Sequence, residues 1–228
     1  MKIKIQRDIL QEYEVDMQDV TLLELLQHIK RKQDATLTFA SGCKSSVCGS
    51  CALRVNGKEV LACSYKVQDG DLVEPLKNVP IIRDLVVDMG KAYTFNAKAK
   101  AWQSSLAPSI NITQEDEKLN ETQSDCILCG SCYSACPVYA INGDFLGPFS
   151  LTRVWRYVSD KRELNQKEKI DNIQQNGIWD CTLCNECTLV CPQEISSKAD
   201  IEKLRSKSAM FGYTNPNFMS GFGGGLSF

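Results

Sequence analysis

The sequence is short of histidine, of long apolar runs and of net charge. It has one histidine, His28, in 228 residues, and its formal net charge is −2. No apolar run approaches the roughly 18–20 residues that a membrane-spanning helix needs, and the first residues lack the apolar core of a signal peptide. We therefore expect no nucleic-acid partner, no histidine-based catalysis, and membrane contact only through a partner protein.

Cysteine is the residue that the sequence has in excess, and its twelve copies fall into three groups of four. The first group opens with the plant-type [2Fe–2S] spacing C-x4-C-x2-C and consists of Cys43, Cys48, Cys51 and Cys63. The other two follow the bacterial ferredoxin pattern C-x2-C-x2-C-x3-C-P: Cys126, Cys129, Cys132 and Cys136, then Cys181, Cys184, Cys187 and Cys191. The spacings predict three iron–sulfur clusters. Thiolate ligands also indicate a reducing compartment.

Two other uses of the cysteines remain open at this point. A disulfide scaffold could use twelve cysteines, but such scaffolds are typical of short secreted chains. Structural zinc is bound by pairs of C-x2-C motifs. Here each bacterial-type run has a third cysteine at the same spacing and a fourth followed by proline, which zinc does not require. The pattern favours iron–sulfur clusters over both alternatives.

The first part of the chain, residues 1–92, is predicted to be a β-grasp [2Fe–2S] ferredoxin domain. Thr21 and Glu24 form a capping-box pattern that opens an amphipathic helix with Leu22, Leu25, Leu26 and Ile29 on one face. Asn56-Gly57 predicts a type I′ turn. A loop rich in serine and glycine runs from Ala40 to Cys51. Strands are predicted at Lys2–Arg7, Glu12–Val15, Thr36–Phe39, Ala52–Val55, Lys58–Ala62 and Asp71–Leu76.

The rest of the chain is predicted to be helical, which makes the fold class α+β. A connector over residues 93–112 leads to an α-helical bacterial-ferredoxin-type domain over 113–210, and a glycine-rich tail covers 211–228. Helical spacing is seen in Pro148–Asp160 and Glu163–Gln175, the second ending at Asn176-Gly177. Pro137 and Pro192 are each expected to begin a helix.

The bacterial-type runs also predict how the ligands are shared. In two-cluster ferredoxins the fourth cysteine of a run binds the other cluster. One [4Fe–4S] cluster is therefore expected on Cys126, Cys129, Cys132 and Cys191. The other is expected on Cys136, Cys181, Cys184 and Cys187.

The combined motifs resemble a known family, the iron–sulfur subunits of succinate dehydrogenase and fumarate reductase. The matching stretches, which span about residues 1–205, are Ser41–Cys51, Leu61–Cys63, Ile82–Asp88, both later cysteine runs and Gly147-Pro148. The resemblance implies a subunit without a catalytic pocket of its own. It implies a partner flavoprotein with FAD, and a membrane-associated quinone-side subunit that exchanges single electrons with it. It further implies a peripheral membrane complex, which we expect on the cytoplasmic face.

Three residues depart from the usual family pattern. Cys184 stands where the family has a non-cysteine residue, Thr182 where it has histidine, and Ile141 lies where tryptophan is usual. With Cys184 as a ligand the third cluster is expected to be [4Fe–4S]. The alternative is a [3Fe–4S] cluster on Cys136, Cys181 and Cys187 beside a buried, inert Cys184. The departures resemble the subgroup whose third subunit is cysteine-rich and related to heterodisulfide reductase.

Two further functions stay open on the sequence alone. The chain could serve a thiol-linked fumarate reductase or another flavoenzyme, a possibility that Cys184 supports. It could also be a free multi-cluster ferredoxin that carries electrons between several partners. The direction of electron flow depends on cluster potentials, which span roughly −700 to +450 mV across cluster types.

Overall fold

The computed structural model describes residues 1–107 and 110–216. The chain forms two compact units. The first unit contains residues 1–91, 125–136 and 186–195, and the second contains 92–124, 137–185 and the described residues from 196 onward. Pro108 of the predicted connector and residues 217–228 of the predicted glycine-rich tail lie outside the described residues.

The first unit is built on a five-stranded mixed sheet with the strand order β2-β1-β5-β3-β4. Strands β1 and β5 run parallel, and the other neighbours are antiparallel. The strands are β1 Lys2–Gln6, β2 Leu10–Glu14, β3 Ala52–Val55, β4 Lys58–Leu61 and β5 Leu72–Glu74. A small hairpin of β6 Ile81–Arg83 and β7 Val86–Val87 follows. This order confirms the predicted β-grasp sheet.

Helix α1, Leu22–Lys32, supplies the other half of the first unit's core. Thr21 Oγ1 accepts a hydrogen bond from Glu24 N (3.3 Å), and the Glu24 carboxylate accepts one from Thr21 N (2.8 Å), so the predicted capping box is formed. The helix buries Leu22, Leu25, Leu26 and Ile29 in the same core as Ile3, Ile5 and Val73 of the sheet. The apolar face predicted for this helix is therefore the face that packs against the sheet.

The turn between β3 and β4 also has the predicted form. Asn56 and Gly57 both have positive φ, 49° and 84°, as a type I′ turn requires. Asn56 Nδ2 donates to Asp71 Oδ1 (2.7 Å), and Leu72 N donates to Asn56 Oδ1 (2.9 Å). The turn residue thereby ties the hairpin to β5.

The predicted strand at Thr36–Phe39 is wrong. Leu37 is buried there, but side chains satisfy the backbone of this segment instead of a neighbouring strand. Thr36 N donates to Asp34 Oδ1 (2.9 Å) and Thr38 N donates to Asp84 Oδ2 (2.7 Å). Lys30 Nζ donates to the carbonyl of Leu37 (2.6 Å). The apolar pattern predicted the burial of Leu37 correctly. Leu85 N also donates to the carbonyl of Thr38 (3.2 Å), but the side-chain hydrogen bonds at Thr36 N and Thr38 N take the place of a strand ladder.

The remaining elements are helices, and α7 packs on α10 in the second unit. No helix within residues 1–107 and 110–216 has both the length and the apolar character to cross a membrane. The helices are α2 Gly90–Lys98, α3 Gln114–Lys118, α4 Glu121–Ser124, α5 Ser131–Ser134, α6 Pro137–Ile141, α7 Pro148–Val158, α8 Gln166–Asp171, α9 Glu186–Leu189 and α10 Ser197–Met210.

Helix α8 is shorter than predicted and begins after Glu163. The Glu163 carboxylate accepts hydrogen bonds from the backbone N–H groups of Ser104 and Asn165, both at 2.8 Å. It also lies 3.4 Å from the fully buried ammonium of Lys169. Because Glu163 anchors this buried ion pair, the chain turns helical only from Gln166. The helical spacing of the sequence did not predict the late start, because it contains no information on the Glu163–Lys169 ion pair.

Two other segments differ from the sequence prediction. Helix α2 occupies residues 90–98, in part of what was predicted as connector, because Ala92 and Phe95 bury one face of it. Pro137 begins α6 as expected, but the helix expected at Pro192 is wrong. There, Glu194 adopts a φ of 56° and its N–H donates to the carbonyl of Cys191 (3.1 Å). Because of that turn, the next helix begins only at Ser197.

Candidate iron–sulfur sites

The first candidate site is built around the β3–β4 hairpin. Cys51 precedes β3 and Cys63 follows β4. Because Ala52 pairs with Leu61 across the hairpin, the two cysteines lie at the same end of it. The loop before β3 adds Cys43 and Cys48. The first four predicted ligands are thus carried by one loop and one hairpin.

Backbone N–H groups of this loop point at the thiol sulfurs. Ser45 N and Val47 N each lie 3.4 Å from Cys43 Sγ, and Cys43 N lies 3.3 Å from Cys48 Sγ. Hydrogen bonds to the Cys43 sulfur lower the pKa of its thiol to about 6, and the largest contribution comes from the Ser45 N–H. Donors aimed at sulfur stabilise thiolate and cluster charge alike. The loop is therefore suited to hold an anionic sulfur site.

Gly42 shows how little room the loop leaves around its sulfurs. A Cβ atom at this position would lie 2.8 Å from Cys48 Sγ and 3.2 Å from Ser50 Oγ. Only glycine lets the backbone approach the thiol this closely. The donor set and this close backbone approach fit the [2Fe–2S] cluster that the spacing predicts.

A second candidate site lies in the first unit, around Cys132 on α5. Burial raises the pKa of the Cys132 thiol well above its usual value, and the neighbouring thiols add to the effect. The pKa of Cys129 is likewise raised by burial, and this residue lies near Cys191; its thiol donates to Ser131 Oγ at 3.4 Å. The thiols that act on Cys132 are those of Cys129, Cys126, Cys187 and Cys191. This group contains the four cysteines predicted to share one cluster, and it also contains Cys187, which was predicted to bind the other cluster. The assignment of ligands to clusters stays a prediction.

Such a buried group of thiols suits a metal cluster. Several thiolates in a desolvated space repel one another and are stable only with compensating positive charge. Metal binding provides that charge and couples ligand deprotonation to folding. The donor set around Cys132 therefore fits a [4Fe–4S] cluster.

The third cysteine run is divided between the two units. Cys181 and Cys184 lie in the second unit, and Cys136 and Cys187 lie in the first, where both are buried. Cys184 is exposed, and whether it is a ligand of the third cluster stays a prediction. The sharing of a cluster by Cys136, Cys181, Cys184 and Cys187 stays a prediction.

Arg205 on α10 is a residue that the sequence analysis missed beside this run. Its guanidinium donates to the carbonyls of Ile178 and Cys181, at 2.7 and 2.5 Å. Burial raises the pKa of Cys181, and a hydrogen bond from Leu183 N (3.4 Å) and the Arg205 charge oppose that rise. Arg205 lies 14 positions beyond Cys191, and no local motif marks it.

All twelve cysteines are free thiols. In the part of the chain that the structure describes, no group of three or more His, Cys, Asp or Glu side chains is arranged to hold a metal ion. The preference for iron–sulfur clusters over disulfides and zinc therefore rests on the cysteine spacing. These sites together define a two-domain iron–sulfur protein with a ferredoxin-type sheet domain.

Family models match both parts of the chain. Residues 2–94 match a "2Fe-2S iron-sulfur cluster binding domain" and residues 122–195 match a "4Fe-4S dicluster domain". In a solved structure, the Mycobacterium smegmatis Sdh1 complex in the apo form, one chain is similar in fold. That similarity has a TM-score of 0.82 at 24% identity and covers 94% of this chain and 98% of the other. The predicted α+β class is confirmed.

Curated relatives identify the family. The iron–sulfur subunit of fumarate reductase from Haemophilus influenzae is 34% identical, over 86% of this chain and 85% of the relative. The 8-methylmenaquinol:fumarate reductase iron–sulfur subunit of Wolinella succinogenes is 38% identical, over 83% of this chain. One of the subunits of the fumarate reductase (CoM/CoB) of Methanothermobacter marburgensis is 33% identical, over 89% of this chain. The chain therefore belongs to the family of fumarate reductase and succinate dehydrogenase iron–sulfur subunits.

These relatives differ from the chain in length. The chain spans 64% of the Wolinella protein and 42% of the Methanothermobacter protein. Both relatives therefore contain sequence that has no counterpart here. What those proteins act on is a property of the longer chains.

Proposed function

We propose that this chain is the electron-transfer subunit of a succinate dehydrogenase or fumarate reductase complex. It passes single electrons between FAD in a flavoprotein subunit and a membrane-associated quinone-side subunit. The observation that carries the proposal is the presence in one compact unit of two different sulfur sites, the amide-lined loop at Cys43 and the buried thiol group at Cys132. Two unlike sites close together suit stepwise electron transfer.

The ligand assignment follows the predicted pairing. The loop and hairpin cysteines, Cys43, Cys48, Cys51 and Cys63, would hold a [2Fe–2S] cluster. Cys126, Cys129, Cys132 and Cys191 would hold a [4Fe–4S] cluster, which the electrostatic interaction of Cys191 with Cys129 and Cys132 supports. When bound, the clusters supply the one-electron chemistry.

The protein's own residues would position the clusters and tune their potentials. Amide donors from Ser45 and Val47 stabilise negative charge on Cys43, which would favour the more negative, reduced state of a cluster bound there. Around Cys132, burial opposes added negative charge. The chain thus gives Cys43 and Cys132 different surroundings.

For the third cluster we propose a [4Fe–4S] cluster with Cys184 as its fourth ligand. The exposure of Cys184 supports this, because the thiol is accessible for ligation. Thr182 and Ile141 replace the usual histidine and tryptophan, and the Ile141 side chain is 91% exposed. Together with Cys184, these replacements favour a cysteine-rich quinone-side partner. Membrane contact would occur through that partner, on the cytoplasmic face.

A second candidate function is supported by one comparison. The Methanothermobacter relative belongs to a CoM/CoB fumarate reductase, so a thiol-linked electron donor remains a candidate for this chain. In that case electrons would come from a thiol pair instead of a quinol. The two candidates share the first two clusters and differ in the partner beyond the third.

The test uses the complex purified without air together with its flavoprotein. Succinate should reduce the [2Fe–2S] cluster, seen as a new low-temperature EPR signal, and a quinone should reoxidise it. Reduction of the clusters by a thiol pair but not by a quinol, with reoxidation by fumarate, would support the thiol-linked candidate. Failure of succinate and of fumarate to change any cluster signal would contradict both.

A variant of the same complex tests whether the Cys132 cluster lies on the electron-transfer path. Cys132→Ser in the same complex should leave the [2Fe–2S] cluster reducible by succinate but stop the transfer of electrons to quinone. The result follows because the variant interrupts the path beyond the first cluster. If quinone reduction survived at the normal rate, the buried site would lie off the path.

A further inference from the structure

The loop that carries Cys43, Cys48 and Cys51 touches the segments that carry Cys129 and Cys191. Two of these contacts are made by residues that are not themselves candidate ligands. One is the backbone of Gly49, and the other is the side chain of Gln193. All of these residues lie in the first unit.

Gly49 lies directly against the backbone of Cys129. Its φ is +72°, and a Cβ atom there would lie 2.8 Å from Cys129 Cβ, 2.9 Å from Cys129 Cα and 2.9 Å from the carbonyl oxygen of Ile127. None of these atoms is the end of a flexible side chain. A larger residue at 49 could be accommodated only by moving Cys129, and with it the Cys129 thiol.

Gln193 makes the second contact, two residues after Cys191. Its Nε2 donates to the carbonyl oxygen of Ser46 at 3.1 Å. Ser46 has a φ of 63°, and its Oγ lies 3.5 Å from Cys63 Sγ. A non-glycine residue persists in this left-handed conformation only where surrounding contacts hold it. The Gln193 hydrogen bond is one such contact, and it ends beside a candidate ligand of the first cluster.

We propose that Gly49 and Gln193 are positioning residues that fix the separation and relative orientation of the first two clusters. The proposal rests on the ligand assignment given under the proposed function. Gly49 sets how closely the loop approaches Cys129, and Gln193 stops the loop from moving away from the segment after Cys191. Electron tunnelling slows steeply with distance, so a small displacement of the loop changes the transfer rate.

The test compares side chains at position 193 in the full chain, purified without air with its clusters. Gln193→Ala and Gln193→Glu remove the donor, and Gln193→Lys keeps one of similar reach. Gln68→Ala is the matched control, because Gln68 is exposed and its side chain makes none of the hydrogen bonds described for the loop. Two quantities are measured: the magnetic broadening of the reduced [2Fe–2S] EPR signal by the reduced neighbouring cluster, and amide hydrogen exchange over residues 43–51.

The expected result separates donors from non-donors. The Ala and Glu variants should lose part of the broadening, and their loop amides should exchange about fivefold faster, as expected for one lost hydrogen bond. Gln193→Lys and Gln68→Ala should match the unmodified chain in both measurements. A charge effect alone would instead move the Glu and Lys variants in opposite directions and leave the Ala variant unchanged, which would overturn the proposal.

Gly49→Ala gives the larger displacement and is expected to change the broadening more than any variant at 193. If Gly49→Ala does not fold, the variants at 193 decide. Unchanged broadening and exchange in Gln193→Ala and Gln193→Glu, with both clusters present, would overturn the positioning role. Absence of either cluster from the unmodified chain would instead overturn the ligand assignment, and the positioning role with it.

Discussion

The loop around Cys43 and the run around Cys132 prepare thiols for iron in opposite ways. Cys43 is exposed, and backbone donors lower the pKa of its thiol to about 6. Cys132 is buried, and desolvation with four neighbouring thiols raises its pKa well above the usual value. Backbone donors compensate negative charge at Cys43, whereas Cys132 depends on the metal for that compensation. Within the first site, burial raises the pKa of Cys51 to about 11, so the contrast is one between the two thiols. The comparison implies that the two sites respond differently to loss of a ligand or of a supporting charge.

The largest expected effect comes from replacing one cysteine in each site. Cys132→Ser should abolish the [4Fe–4S] cluster and lower the iron content by about four atoms per chain, since a serine in a desolvated site deprotonates with difficulty. Cys43→Ser should keep a [2Fe–2S] cluster with an altered EPR spectrum, because the amide donors remain. Iron analysis and EPR of both variants check this. If both variants lost their cluster to the same extent, the proposed difference between the Cys43 and Cys132 sites would be contradicted.

A smaller loss of stability is expected from replacing Arg7, whose ion pairs hold the segment that leads into the Cys43 loop. Its guanidinium donates to Asp84 (2.8 Å) and Asp34 (2.6 Å), and Asp84 in turn accepts from Thr38 N. Arg7→Met leaves the nearly buried Asp84 carboxylate without its cation and should lower the free energy of unfolding by about 3 kcal/mol. Urea unfolding followed by circular dichroism measures it.

The control for Arg7 is an exposed ion pair in the same sheet. Lys2 lies 3.8 Å from Glu12, and both side chains are more than half exposed, so Lys2→Met should change the free energy of unfolding by less than about 0.5 kcal/mol. A loss as large as that for Arg7→Met would mean that net charge, and not the Asp84 contact, is responsible. The EPR signal of the [2Fe–2S] cluster should broaden only in Arg7→Met.

Asp200 tests, on a group that is not a candidate ligand, whether burial raises a pKa as it does for Cys132. Burial raises the pKa of this carboxyl to about 6, although Gln123 Nε2 donates to its Oδ1 at 2.8 Å. A raised pKa means that the folded state binds the proton more tightly, so stability is greatest at low pH and falls as the pH rises from about 4 to about 6. Asp200→Asn should remove that fall and raise the free energy of unfolding at pH 7 by about 2 kcal/mol.

Asp171 is the comparison for Asp200, because its pKa is shifted in the opposite direction. Hydrogen bonds from Lys167 and Tyr213 lower the pKa of its carboxyl, so its contribution is present at neutral pH and is lost in acid. Asp171→Asn should therefore lower stability slightly at pH 7, where Asp200→Asn raises it. Unfolding free energies at pH 4 and pH 7 for both variants decide the matter. A gain in both would contradict the assignment of the Asp200 shift to burial.

The sequence predicted the parts of the fold that local chemistry determines. The capping box at Thr21 and Glu24, and the turn at Asn56-Gly57, depend on residues within four positions of each other. The cysteine spacings predicted Cys126, Cys129 and Cys191 near Cys132, but not Cys187, which also acts on it. These features are local, or repeat at fixed intervals, so pattern alone finds them.

Other features depend on contacts between residues far apart in sequence. Thr36–Phe39 fails to form a strand because Asp84, 46 positions after Thr38, accepts its N–H. Helix α8 starts late because Glu163 pairs with Lys169 and binds Ser104 N, 59 positions earlier. Gln193 and Arg205 likewise act on distant carbonyls. No periodicity or motif encodes such pairs, so the structure is needed to find them.

Low-temperature EPR of the oxidised protein, isolated without air, tests the central claim that the chain holds one [2Fe–2S] and two [4Fe–4S] clusters. Oxidised [2Fe–2S] and [4Fe–4S] clusters give no signal, whereas an oxidised [3Fe–4S] cluster is paramagnetic. The account predicts silence, followed by three centres on reduction. A strong signal close to one spin per chain in the oxidised protein would show a three-iron cluster. That result would contradict ligation by Cys184.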